Sequence, residues 1–424
     1  MATQATSVAN LTVYNTGGGT DTLQITSGVV DTATFSAITG YTTVEVNTNG
    51  AHVITVPAGV LSTANATVTF STTSTISVQM SAVELTGTST KVVFISSDGN
   101  DSLTGGPAAD SIDGGNSNDL IYGGSGSAAD TLIGGAGEDT ISGGQGNDEI
   151  SGGTKNDLIY GNIGLDSISA GGGDDIIFGG GGNDLLKGGA DNDFIQGDRD
   201  HDILSGGDSN DSLYGNIGND TLHGDDGIDR LFGGGGNDSL TGGNGGDFLY
   251  GNAGMDKIVG SAGIDIIYGN TGDDTLSGGT NGDSLFGGQD NDVLYGAAGN
   301  DIAYGNLAND VLSGGSGTDI LYGGQGNDTL IGNSGSNHLH GNRGDDALSA
   351  GSGADAFYFG GPSGDDTITG FSFSGGDSLN LASGTTYSVA ASGSDAIVTL
   401  STAATITFVG IEATSIADGW FTIG

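Results

Sequence analysis

From Asp130 to Asp328 an aspartate stands at every ninth position without exception. No other feature restricts so strongly what this chain can fold into. The series begins at Asp101, Asp110 and Asp119, takes one eleven-residue step, and then runs through Asp130, Asp139, Asp148, Asp157, Asp166, Asp175, Asp184, Asp193, Asp202, Asp211, Asp220 and Asp229. It continues through Asp238, Asp247, Asp256, Asp265, Asp274, Asp283, Asp292, Asp301, Asp310, Asp319 and Asp328. Asn337 takes the next slot, and Asp346 and Asp355 close 29 repeats, 28 of which carry Asp. Two residues after each stands an apolar residue, such as Leu132, Ile141 and Ile150; only Ala303 is small. Ahead of each comes a glycine-rich hexad, seen cleanly in GGQGND (143–148) and GGGGND (233–238).

A fixed period of this kind is the signature of a repeat architecture. The hexad needs positive φ and close backbone approach, which glycine allows and asparagine tolerates next best. Asn162, Asn216, Asn252, Asn270 and Asn306 replace the second glycine in keeping with that rule. The remaining x-U-x reads as a three-residue strand whose central side chain faces inward. Alternating turn and strand gives an all-β, right-handed parallel β-roll, or β-solenoid, with two repeats per turn around a thin aliphatic core.

Composition fits this frame and excludes others. The chain of 424 residues holds 87 glycines but only 3 prolines, so the collagen pattern fails. With 52 Asp+Glu against 7 Lys+Arg, its formal charge of −45 would repel nucleic acid. Cysteine is absent, which removes disulfides and thiolate metal sites as staples. No apolar run is long enough to span a membrane, so membrane insertion is not expected. Residues 1–14 (MATQATSVANLTVY) lack the charged and apolar segments of a secretory signal peptide.

The GGxGxDxUx nonapeptide resembles the RTX (repeats-in-toxin) calcium-binding β-roll, and the resemblance covers about 60% of the chain, residues 98–358. It implies Ca²⁺ held between consecutive turns on one edge, by the ladder aspartates together with backbone carbonyls of neighbouring hexads. The chemistry agrees. Stacked turns bring like charges together, and a hard cation with 6–8 oxygen ligands in flexible geometry suits carboxylates plus carbonyls. Zinc would want His or Cys, and neither is arrayed here. Same-edge pairs number at most 27 in 29 repeats. Roughly two dozen Ca²⁺ would bring about +48, close to cancelling −45. Without calcium the chain is expected to be unfolded.

The residue three after each Asp faces outward and alternates in kind. In steps of eighteen stand Tyr160, Phe178, Gln196, Tyr214, Phe232, Tyr250, Tyr268, Phe286, Tyr304, Tyr322, His340 and Tyr358, whereas the interleaved series is mostly Ser and Thr. One sheet is thus expected to expose an aromatic strip, either a self-association or glycan-binding surface or a ladder that merely stiffens the sheet.

Residues 1–97 are Thr-rich, with alternating runs at 43–48, 52–57, 66–70, 75–80 and 91–96 that read as strands of a small β domain or of solenoid coils capping the roll. Residues 359–424 read as a C-terminal β cap; segments 357–381 and 405–424 resemble the uncleaved type I secretion region of secreted RTX proteins. Neither H-E-x-x-H nor G-x-S-x-G occurs, so no enzyme is expected. The expectation is a secreted or cell-surface structural protein that self-associates when calcium binds, as a surface layer or filament. An RTX adhesin or matrix protein binding a cell-surface glycan is the alternative.

Overall fold

The computed structural model describes residues 99–360, 363–402, 404–416 and 418–423, together with the backbone of eight strands ahead of residue 99. The chain divides into two compact units, residues 1–212 and 213–424. Through most of the repeats, strands alternate between two parallel sheets, and each pairs with the strand eighteen residues on. In the first unit Ile141 pairs with Ile159 and Ile150 with Ile168. In the second, Leu231 pairs with Leu249 and Leu240 with Ile258. Two nonapeptides therefore make one coil, and the all-β parallel solenoid expected from the period is what the chain forms.

The strands are longer than the repeat suggests. Thr140–Gln145 and Ser239–Asn244 each run six residues, not three. The first half of the hexad continues the strand, because Gly144 and Gln145 still pair with Asn162 and Ile163 of the next coil. Only the second half turns. In most hexads two residues carry positive φ, the second (Asn162, 77°) and the fourth (Asp191, 74°; Ala308, 78°). Where Ser117, Asp200 and Ser209 replace the fourth glycine, φ stays positive at 74–82°, so the turn survives the substitution.

The inward row is Leu103, Ile112, Ile121 and their successors to Phe357, each at most 2% exposed. Strand burial alternates, and the second buried row is the first residue of the hexad, glycine as in Thr140–Gln145 or alanine at Ala170 and Ala350. The core is thus one aliphatic side chain deep. The eleven-residue step shifts only the count: Ile112 pairs with Leu132 and Ile121 with Ile141.

Before residue 99, the strands Thr43–Thr48, Thr67–Thr72 and Val92–Ile95 pair in parallel, with Thr43 opposite Thr67 and Val68 opposite Val92. Val93 then pairs with Ser111 of the first repeats. Parallel pairing thus runs from these strands into the first repeats.

At the other end the regular coil gives way. Asp365–Thr369 pairs in parallel with Ala347–Ser349 and with Thr405–Phe408. Tyr387–Ser392 and Asp395–Leu400 form an antiparallel hairpin laid beside Thr405–Phe408. Phe371 packs at 5.2 Å from Phe408, 5.1 Å from Trp420 and 5.9 Å from Phe357, closing the aliphatic row with aromatic rings.

A candidate cation ladder

Each ladder aspartate ends a hexad immediately before a strand, as Asp139 does before Thr140–Gln145, and the turn points its side chain inward. All 28 are at most 4% exposed. Their two carboxylate oxygens have different surroundings. Oδ1 accepts a hydrogen bond from the backbone N–H of the ladder residue one coil earlier: Asp148 from Asp130 and Asp184 from Asp166, both at 2.8 Å. In the second unit Asp238 accepts from Asp220, and Asp328 from Asp310, again at 2.8 Å. A carboxylate also stitches each coil to the next through the aspartate's own backbone.

Oδ2 of most ladder aspartates is buried and has no protein partner, for example at Asp148, Asp184, Asp238, Asp292 and Asp346. An unpaired buried carboxylate oxygen is costly. It lies over the first glycine of its own hexad. A Cβ on Gly179 would sit 2.6 Å from Oδ2 of Asp184 and 2.9 Å from the carbonyl oxygen of Gly197, one coil later. At Gly296 the corresponding distances are 2.5 Å to Asp301 and 2.5 Å to the Gly314 carbonyl. An orphaned carboxylate oxygen and a backbone carbonyl thus converge where a side chain is absent.

Burial, chiefly, and the carboxylates above and below push these groups up. Asp119, lying between Asp101 and Asp139, is raised to about 8, and Asp193 and Asp292 likewise. Asp184, Asp238 and Asp310 are raised to about 7, against the backbone hydrogen bonds that favour the ionised form. No three His, Asp or Glu side chains cluster as a metal site among the described residues. A set built from carboxylates of successive coils and backbone carbonyls would form no such cluster. Oxygen donors alone, with orphaned carboxylate charge, fit Ca²⁺.

Asn337 keeps the architecture and changes the chemistry. Its Oδ1 accepts from Asp319 N–H at 3.0 Å, and its own N–H donates to Asp355 at 2.8 Å. The buried, unpaired atom there is Nδ2, a donor that cannot ligate a cation.

The structure also extends the ladder. Asp346 N–H donates to Asp366 Oδ1 at 3.0 Å, and Asp355 N–H to Asp377 Oδ1 at 2.9 Å. Both are buried, and both lie past the region read from the period. The signal was present: each arrives by an eleven-residue step, the same step that separates Asp119 from Asp130. At Asp377 the second oxygen is taken, accepting from Ser372 N–H at 2.7 Å. A further row went unread. The residue before the ladder Asp, often Asn, accepts from the backbone one coil later, as Asn237 does from Met255 and Asn327 from Asp345, both at 2.9 Å.

On the outer face the second unit stacks nine rings from Tyr214 to Tyr358, with successive centroids 4.2–5.0 Å apart. In the first unit Tyr160 stacks on Phe178 at 5.2 Å, but Gln196 carries no ring and instead bonds Asp198. The strip is less open than expected, because rings at strand spacing cover one another; Tyr160 through Tyr358 are half-buried. His340, expected to be exposed, lies between Tyr322 and Tyr358, and burial pushes its imidazole down to about 4.

A family model described as the RTX calcium-binding nonapeptide repeat (4 copies) matches ten segments that together cover residues 95–361. None of the curated proteins matches the chain. Among solved structures it is similar to the extracellular lipase LipA from Serratia marcescens, at 18% identity, with a TM-score of 0.17. That likeness covers 55% of this chain and 40% of the lipase, so the chain spans less than half of that protein's length.

Proposed function

Because the chain belongs to the RTX calcium-binding nonapeptide-repeat family, we propose that it is a secreted structural protein that folds on binding Ca²⁺ and then self-assembles. The observation that carries this reading is the row of buried, unpartnered Oδ2 atoms. When bound, Ca²⁺ supplies positive charge between the carboxylates of consecutive coils. The ladder aspartates with an unpartnered Oδ2, such as Asp119, Asp148, Asp238 and Asp355, would contribute that oxygen, and the first-glycine carbonyls the backbone ligands; at Asp110 it already accepts from Gly106 N–H at 2.6 Å. Roughly two dozen ions fill such columns. The roll itself is the product on this reading, without a catalytic site. Residues 359–424 carry the type I export signal on this reading, and millimolar calcium outside the cell folds what low calcium inside leaves unfolded.

A calcium titration followed by circular dichroism and sedimentation tests both halves. The expected result is a cooperative gain of β-signal, followed by growth of larger species. Folding without assembly would refute the self-assembly half, and native β-signal in chelator at pH 7.5 the calcium half.

One observation favours a second reading, a glycan-binding adhesin or matrix protein. An open groove of about 620 Å³ beside the stacked rings is lined by Tyr304, Tyr322, Asn306, Gln325, Asn342 and Arg343. Rings for sugar faces, amides for hydroxyls and one guanidinium are a saccharide-binding set. Binding of the calcium-loaded protein to a glycan array, lost in Tyr304→Ala and Arg343→Ala, would favour it; no binding would eliminate it.

A further inference from the structure

Among the described residues of the second unit, the hairpin strand Tyr387–Ser392 pairs with one strand, Asp395–Leu400, and its first residue, Tyr387, also stacks on Phe421. Residues 388–392 are all exposed. An open edge presents unpaired N–H and C=O groups to any other strand, and proteins blunt such edges with Lys, Pro, bulges or brevity. Here the strand is six residues long, YSVAAS, with no charge and no proline.

Charge singles out the occupant. Residues 378–394 contain no Asp, Glu, Lys, Arg or His, and residues 378–411 contain only Asp395 of these, in a chain of formal charge −45. Copies of so acidic a chain repel one another across most of their surface. They meet without that repulsion at this hairpin. Backbone geometry agrees. Ser401 N–H donates to Thr386 C=O at 2.8 Å, one step beyond the Tyr387–Leu400 pair. Bonded and non-bonded pairs alternate along an antiparallel ladder, so Ser388, Ala390 and Ser392 bond within the hairpin. Val389 and Ala391 direct their backbone groups to the open side.

We propose that Tyr387–Ser392 is a self-association surface, pairing antiparallel with the same strand of a second copy about a two-fold axis through Ala390. Val389 of each copy then exchanges backbone hydrogen bonds with Ala391 of the other, and the two Ala390 residues form a non-hydrogen-bonded pair. A two-fold interface of this kind uses one patch twice. The proposal rests on the reading that the protein self-associates and names where.

The chain has no cysteine, so single cysteines report the register. The Cα atoms of a non-hydrogen-bonded pair are about 4.5 Å apart, within disulfide reach. In the full-length calcium-loaded protein, Ala390→Cys should cross-link on mild oxidation at least about tenfold faster than Ser388→Cys or Ser392→Cys. Val389→Pro removes only an outward N–H, an edge position where proline is tolerated, and should weaken dimerisation at least tenfold by sedimentation equilibrium. Circular dichroism of each variant verifies that its calcium transition is intact. Equal cross-linking at all three positions would overturn the proposal. So would assembly undiminished in both Val389→Pro and Ala391→Pro, which would leave self-assembly standing on another surface. A calcium-folded wild type that stays monomeric would refute this surface and the self-assembly reading together, leaving calcium-driven folding intact. Binding of foreign strands without self-pairing would likewise overturn it.

Discussion

At Asp328 and at Asn337 the chain makes the same turn, buries the same side chain and accepts the same kind of hydrogen bond from the coil before, at 2.8 Å and 3.0 Å. The two slots differ in one atom. Asp328 buries an unpartnered oxygen where Asn337 buries an amide nitrogen. Asp377, the last rung described, differs again, since both of its oxygens have protein donors. The three residues separate two jobs carried by a single side chain. Oδ1 is scaffold and needs only an acceptor, while Oδ2 is the charged half and needs a cation. Selection for the first job alone would permit Asn throughout; 28 aspartates among 29 slots reflect the second.

Removing the cation should have the largest effect. With burial raising Asp166 to about 6, Asp238 to about 7 and Asp119 to about 8 from 3.8, and other rungs in the same direction, the calcium-free folded state binds more protons than the unfolded one between about pH 4 and 8. Its stability is therefore fully present in acid and lost as pH rises through that window. Chelation at pH 7.5 should abolish most of the β-signal, and lowering the pH of the chelated protein toward 5 should restore part of it. In calcium the direction reverses, because acid displaces the ion. A calcium-free β-signal that grows with rising pH would break the comparison.

Substitution sharpens it at single rungs. Asp238→Ala removes both halves and strands the buried Asp220 N–H, costing about 1–3 kcal/mol beyond the lost ion. Asp238→Asn keeps the acceptor and should lower calcium stoichiometry with a smaller loss of stability. Asn337→Asp should raise the stoichiometry by isothermal titration. Equal destabilisation by Asp238→Ala and Asp238→Asn would mean that Oδ1 carries no scaffold role.

The outer face responds less. Tyr268 stacks on Tyr250 at 4.9 Å and on Phe286 at 4.7 Å, so Tyr268→Ala should cost about 1–3 kcal/mol, two stacked pairs. Thermal unfolding in saturating calcium measures it, with ion stoichiometry unchanged. The smallest change is a gain: Ala308 sits at φ 78°, and Ala308→Gly should stabilise by about 0.5 kcal/mol, strain relief partly offset by unfolded-state entropy.

Much of this was legible from residue positions. The nine-residue interval announced the coil, the inward row from Leu103 to Phe357, and the rungs from Asp101 to Asp355, all of which the structure buries. What escaped was whatever leaves the interval. Asp366 and Asp377 arrive by eleven-residue steps, and only the hydrogen bonds from Asp346 and Asp355 identify them as rungs. Strand length was misread because glycine carries no side-chain pattern; Gly143–Gln145 continues a strand, yet nothing in those letters distinguishes pairing backbone from turning backbone. The openness of the aromatic strip was overestimated for a related reason. Exposure of Tyr250 depends on its neighbours eighteen residues away, which shield its faces at 4.9 Å.

The sequence alone determined the period, and with it the coil, the core and the acidity, because each repeat obeys the same local rules of turn, strand and charge. The 87 glycines and the −45 charge acquire meaning from that spacing. The tertiary structure decided what each atom of the repeated aspartate does, because a carboxylate's two oxygens are equivalent in sequence and become distinct only when one coil lies on the next. It also decided where the regularity ends: at Asp377, whose oxygens are both satisfied, and at a hairpin whose uncharged outer strand is exposed.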